Sequence, residues 1–122
     1  MLQLLLLRRS SYLREKKKNF DEVLLEALDD ALISLGESIK HSIYFHLEKK
    51  FKLSKNEIPS RLKDLKEGLE KIFGVGAQFI EILIMKNLYK KIGKPLEWKE
   101  GTELAFLEYV SAARKTFGSS ET

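Results

Sequence analysis

Residues 77–92 read AQFIEILIMKNLYKKI, and nine of the sixteen are large and apolar: Phe79, Ile80, Ile82, Leu83, Ile84, Met85, Leu88, Tyr89 and Ile92. On a helix of 3.6 residues per turn these nine wrap most of the circumference. A helix apolar on nearly every side must lie at the centre of a bundle or be covered by a partner. Gly74-Val75-Gly76 breaks the chain before it, and Gly93 with Pro95 stops it, as glycine and proline do at helix ends. The rest of the chain must therefore supply elements that pack around this segment.

Those elements also carry helical spacing, and no stretch alternates long enough to make a good strand. A first helix is expected over residues 19–35, capped by Asn19 or Asp21. Its stripe is Leu24, Ala27, Leu28, Ala31, Leu32 and Leu35, with Asp21, Glu22, Glu26, Asp29 and Asp30 mostly outside it. A second helix, over residues 37–51, repeats Ile39, Ile43, Leu47 and Phe51 every fourth residue. Ser54-Lys55-Asn56-Glu57 reads as a capping box ahead of Pro59, marking a turn with a short helical piece. A third helix, over residues 60–73, presents Leu62, Leu65, Leu69, Ile72 and Phe73. Leu96-Glu97-Trp98 makes a connector, and Thr102 caps a last helix running to Phe117, with Leu104, Leu107, Val110, Ala113 and Phe117 as core candidates.

The expected fold is all-α: a compact bundle of four to five helices around the central apolar one. At 122 residues the chain has the size of one domain. Residues 1–19 read as a basic arm, disordered or frayed. Residues 20–95 form the helical domain, and residues 96–122 add a connector and a C-terminal helix packed on it.

The net charge of +4 is unevenly placed. Residues 1–20 hold six bases (Arg8, Arg9, Arg14, Lys16, Lys17, Lys18) against the single acid Glu15, a net of +5. Residues 21–122 hold 16 bases and 17 acids, a net of −1. A nearly neutral domain has no overall basic field to attract a polyanion, so any such field belongs to the arm. The arm runs apolar first and basic second, the reverse of a signal peptide, and its apolar part is far too short to span a membrane. It reads as a frayed extension. As functional alternatives it sets leucines at a lipid surface with bases at the headgroups, or bases on nucleic-acid phosphates.

Chemistry finds few materials here. With no cysteine there is no disulfide, thiol catalyst or cysteine-ligated metal. His41 and His46, the two histidines, stand five apart and so about 140° around a helix, which keeps them from one metal ion. Asp29 and Asp30 are helix neighbours that diverge, a solvated face rather than a carboxylate dyad. No nucleophile elbow, P-loop or dinucleotide fingerprint occurs. No enzyme activity, cofactor or small-molecule substrate is expected. Abundant Lys and Glu with few Gln and Met make the composition thermophile-like.

Leu69-x-x-Ile72-Phe73-Gly74-Val75-Gly76 resembles the hairpin of helix-hairpin-helix DNA-binding motifs, in which a Gly-hydrophobic-Gly turn holds a phosphate at a helix N-terminus. Phe73 stands where that motif usually has Pro, and Ile80 where it has a small Ala. No Lys or Arg follows the glycines until Lys86. A nucleic-acid reading of the chain would place phosphate on Gly74, Val75 and Gly76 and on Arg8, Arg9, Lys16, Lys17 and Lys18. The compact helix–helix connection is the plainer reading. A helix-turn-helix is ruled out by its own recognition helix, which would offer little besides Gln78 and Glu81 to base edges.

Longer matches point elsewhere. Ser34-Leu35-Gly36-Glu37-Ser38-Ile39, Ile43-Tyr44-Phe45-His46-Leu47-Glu48-Lys49-Lys50-Phe51, Glu57-Ile58-Pro59, Leu69-Glu70-Lys71-Ile72-Phe73-Gly74-Val75-Gly76-Ala77 and Ile80-Glu81 resemble the archaeal Nitrosopumilus-type output domain over residues 20–93. The resemblance implies a small helical module, stand-alone or fused to sensory and receiver modules, with a signalling-output role and no catalytic residues. The expected function is then a non-enzymatic, cytoplasmic interaction module that binds a second copy of itself or another signalling protein. Its expected contact residues are Phe79, Ile82, Met85 and Tyr89 on the central helix and Phe106 and Tyr109 on the last.

Overall fold

The structure is a computed structural model that describes residues 18–99 and 105–121. Residues 1–17 of the arm, and the cap Thr102 with the core candidate Leu104, lie outside the described residues. Among the described residues five α-helices follow one another: α1 Phe20–Ile33, α2 Glu37–Phe51, α3 Leu62–Phe73, α4 Ala77–Ile92 and α5 Phe106–Glu121. Two 3₁₀ pieces, Lys55–Ser60 and Gly74–Gly76, precede α3 and α4. Among the described residues there is no strand, so the all-α bundle is the fold of this chain.

Local chemistry explains where the helices begin and end. The Asn19 side chain accepts the Glu22 N–H at 2.9 Å, which caps α1, and Asp21 and Glu22 sit in its first turn. The helix stops at Ile33 rather than continuing to Leu35, because Leu35 and Gly36 N–H groups turn back to Leu32 and Ile33 carbonyls. The Ser54–Glu57 box forms, with the Ser54 hydroxyl and N–H both donating to the Glu57 carboxylate at 2.7 and 3.2 Å. These bonds, led by the Ser54 hydroxyl, hold the Glu57 pKa below the ordinary value. The box commits residues 55–60 to the tighter helix, so α3 starts at Leu62 instead of residue 60. Gly93 ends α4 in the left-handed region (φ 70), where a side chain would be strained.

Helices α1 and α4 form the heart of the bundle, with α5 and α3 on other sides of α4 and α2 on α1. Leu24, Ala27, Leu28, Ala31 and Leu32 of α1 meet Ile80, Ile84, Met85 and Leu88 of α4 in one continuous core. Alanines at 27 and 31 let the two helices approach closely. Lys91 reaches Asp30 at 2.8 Å where the ends of α4 and α1 meet. At the other end of α1, the rings of Phe20 and Phe117 lie 5.8 Å apart, and Arg114 binds Asp21 at 2.9 Å. Helix α5 therefore runs opposite to α1. Where α2 crosses α3, a Cβ on Gly68 would lie 2.6 Å from Leu47 Cδ2, so glycine sets that approach.

The expected stripe of α2 is only half used. Ile43 and Leu47 are buried, Phe51 is half-buried and Ile39 is exposed. The first turn of α2, Glu37, Ser38 and Ile39, is exposed. Of the two acids expected on a solvated face, Asp30 is exposed, but Asp29 is half-buried and engaged. Asp29 accepts the Tyr44 hydroxyl at 2.5 Å and the Lys55 ammonium at 2.8 Å, tying α1 to α2 and to the first 3₁₀ piece. Burial pushes the Asp29 pKa up, but the Lys55 and Tyr44 bonds outweigh it and hold it below the ordinary value. Burial and the bond to Asp29 push the Tyr44 hydroxyl far the other way.

Candidate functional site: the open end of the α3–α4 hairpin

The six expected contact residues separate. Met85 and Phe106 are fully buried, and Tyr89 is buried with its hydroxyl donating to the Tyr109 carbonyl at 2.7 Å. These three are core, not surface, because α1, α3 and α5 cover three sides of α4 and Phe106 begins α5 by packing inward. Tyr109 is half-buried and its hydroxyl donates to the Glu97 carbonyl at 3.4 Å. Ile82 is half-buried, and only Phe79 stands well out, at 59% exposure.

Phe79 does not stand alone. Val75, one helical turn before it at the tip of the hairpin, is 100% exposed. The turn that carries Val75 runs from Gly74 (φ 59) into α4, and the N–H groups at its two ends are spent within the hairpin. Gly74 N–H donates to the Glu70 carbonyl and Ala77 N–H to the Gly74 carbonyl.

Beside the tip lies an open cleft of about 510 Å³, lined by Lys66, Glu70, Gly74, Val75, Ala77, Gln78 and Glu81. Its floor is unusual. Glu81 is the one acid of α4, and its side chain is 4% exposed. Its Oε1 has no hydrogen-bond partner among the described residues. The cation next to it, Lys66, is bonded to Glu70 along α3. Burial pushes the Glu81 pKa up, Lys66 opposes that shift, and Glu70 adds to it.

Glu81 was legible but overlooked in the spacing. Positions 77, 81, 84 and 88 fall on one helix face, and Ala77, Ile84 and Leu88 make it a core face. An acid at the second of those positions has to go inside.

Of the residues expected to hold phosphate, only Lys18 and Gly74, Val75 and Gly76 are described. Arg8, Arg9, Lys16 and Lys17 lie outside the described residues, and Lys18 is paired with Glu26 at 2.5 Å. Around Gly74, Val75 and Gly76 the chemistry is acidic, with Glu70 and Glu81 against one engaged lysine. A carboxylate-lined cleft repels a phosphate rather than cradling it. Among the described residues no three His, Asp or Glu side chains come together as a metal site, and no helix is long and apolar enough to cross a membrane. Comparison with protein-family models, with curated proteins and with solved structures finds no match for this chain.

Proposed function

We propose that this chain is a non-enzymatic helical interaction module of the archaeal signal-output kind its sequence resembles, cytoplasmic, and that it pairs with a second copy through the open end of the α3–α4 hairpin. The observation that carries this reading is the pair Val75 and Phe79. Two large apolar side chains one turn apart are exposed, Val75 on the 3₁₀ turn and Phe79 on the first turn of α4, the helix whose other faces are the core of the bundle. Exposing them to water is unfavourable by roughly 1.5–3 kcal/mol for each side chain that burial would protect. A symmetric pair buries the same patch on both copies at once, which is the commonest solution for a homo-oligomer.

The size of the patch sets the strength. Val75 and Phe79 fall well short of the roughly 800 Å² per partner of a standard interface, so half-buried Ile82 and Leu83 and the polar rim have to join them. The pairing is therefore a reversible dimer at micromolar concentration rather than an obligate one.

Light-scattering mass after size exclusion tests this across a concentration series. The full chain should move from monomer to dimer as concentration rises, at low and high salt alike. The double variant Val75→Asp, Phe79→Asp should stay monomeric with an unchanged melting curve. A full chain that stays monomeric at millimolar concentration sinks the proposal, as does a dimer that the double variant leaves intact. If association instead needs nucleic acid and fades steeply with salt, the arm is the functional element.

A further inference from the structure

The cleft beside the hairpin carries an inference that does not rest on self-association. We infer that it is a binding site for a cationic group of the guanidinium class, received between the Glu81 and Glu70 carboxylates.

The buried acid is the starting point. A carboxylate removed from water without donors is costly, and an ionised one accepts at up to four lone-pair positions. Glu81 has an oxygen with no partner at all. Lys66 is within electrostatic reach but is bonded to Glu70. One ammonium cannot supply the donors that two carboxylates accept, so the cleft holds more acceptors than donors. The exposed Gln78 side chain in its wall brings an acceptor and donors alike, so the surplus rests on the two carboxylates.

A guanidinium matches this surplus in three respects. It presents five N–H donors in one plane, enough for two carboxylates and an amide. It is hydrated more weakly than an ammonium, so it enters a half-dry cleft at lower cost. The cleft, about 510 Å³ and open on one side, has room for the planar head and a methylene stem, with Val75 and Ala77 as apolar walls for the stem. An anion has none of these advantages, because both carboxylates face it. A guanidinium can come from a free guanidine compound or from an arginine side chain of a polypeptide, and the chemistry at Glu81 is the same for both.

The test is a titration of the full chain followed by backbone amide chemical shifts. The probes are agmatine, N-acetyl-arginine amide, and N-acetyl-citrulline amide as the uncharged isostere. Saturable shifts at Gly74, Val75, Gln78 and Glu81 are expected with a guanidinium probe, at a dissociation constant of about 1 mM, and none with the citrulline compound. Agmatine binding alone identifies a free guanidine as the source; binding of the arginine amide identifies a polypeptide side chain. Glu81→Gln should weaken binding about tenfold or more, by removing the charge that assists the hydrogen bonds. Lys66→Gln should tighten it several-fold, because it removes the competing cation and repulsion at the rim. The Glu81 carboxyl should also titrate lower in the bound protein than in the free one. The inference is overturned if no guanidinium probe shifts these amides at twenty times the expected constant. It is equally overturned if the citrulline compound binds as well, or if Lys66→Gln leaves the affinity unchanged or weaker.

Discussion

The two ends of α4 are built from similar residues and end in opposite conditions. At the C-terminal end, Met85, Leu88 and Tyr89 are enclosed by α1 and α5, the Tyr89 hydroxyl has its acceptor, and Gly93 closes the helix. At the N-terminal end, Val75 and Phe79 are in water and one oxygen of the Glu81 carboxyl is buried without a donor. The difference comes from what stands beside each end. Helix α5 starts with Phe106 against the last turns of α4, whereas among the described residues the hairpin tip lies against α3, which offers Lys66 and Glu70 there. One end is organised for stability. The other leaves apolar and polar capacity unused, which is what a binding surface has and a core does not.

Substitutions at the two ends should therefore behave differently. The largest effect is expected from Met85→Ala or Leu88→Ala, each destabilising by about 2–5 kcal/mol in chemical denaturation, because both side chains are fully buried. A loss below about 1 kcal/mol would mean that the sealed end is looser than the contacts imply.

Next comes the α2–α3 crossing that holds the hairpin against the bundle. Gly68→Ala places a methyl within 2.6 Å of Leu47 Cδ2, and should cost about 1–3 kcal/mol, since Leu47 is itself fully buried and has little room to move.

Tyr44→Phe removes the hydroxyl that Asp29 accepts, and is expected to cost about 1.5–3 kcal/mol at pH 7. The Asp29 pKa is below the ordinary value in the folded state, so its contribution is present above the unfolded carboxyl pKa and is lost as pH falls through the folded one. The gap between wild type and Tyr44→Phe should therefore narrow in acid.

Glu81→Met should act in the opposite direction and stabilise the protein by about 1 kcal/mol at pH 7, because it exchanges a buried carboxyl for an apolar chain of similar length. The Glu81 pKa is raised in the folded state, so the native protein holds this proton to higher pH than the unfolded chain does. Its ionisation therefore lowers stability as pH rises above the unfolded value. The advantage of Glu81→Met should shrink on acidification, which thermal melts at pH 4 and pH 7 would show. Smallest of all, Val75→Ser should shift stability by less than about 0.5 kcal/mol, since the side chain touches no core. A large loss there would mean that the tip is packed against something, and the contrast between the ends would fail.

Much of this architecture can be read along the chain, and the misreadings share a cause. Helix α4 begins and ends where its glycines say, and α2 spans the expected residues, because breakers and caps act over a few neighbours. The stripe of α1 is buried from Leu24 to Leu32 as its spacing implies, while Leu35 falls past the helix end and is half-buried. Ile39, on the expected stripe of α2, is exposed, while Met85 and Phe106, expected at an interface, are core. Periodicity identifies an apolar face but not what lies opposite it, and on a helix apolar nearly all round it cannot rank one side above another. The acids of α1 were legible as lying off the stripe. Their use, with Asp29 joined to Tyr44 and Lys55 and Asp30 to Lys91, depends on residues 15 to 61 positions away.

The linear order of residues is enough for the all-α class, the central place of residues 77–92 and the 3₁₀ turn at the capping box, since each follows from spacing, apolar surface or caps read within a few helical turns. Packing alone assigns the sides of α4: sealed by α1, α3 and α5, open at Val75 and Phe79, and acidic where Glu81 is drawn in. A side chain's exposure depends on distant segments that happen to cover it, and the free energy of covering one face is shared among helices that no local pattern connects.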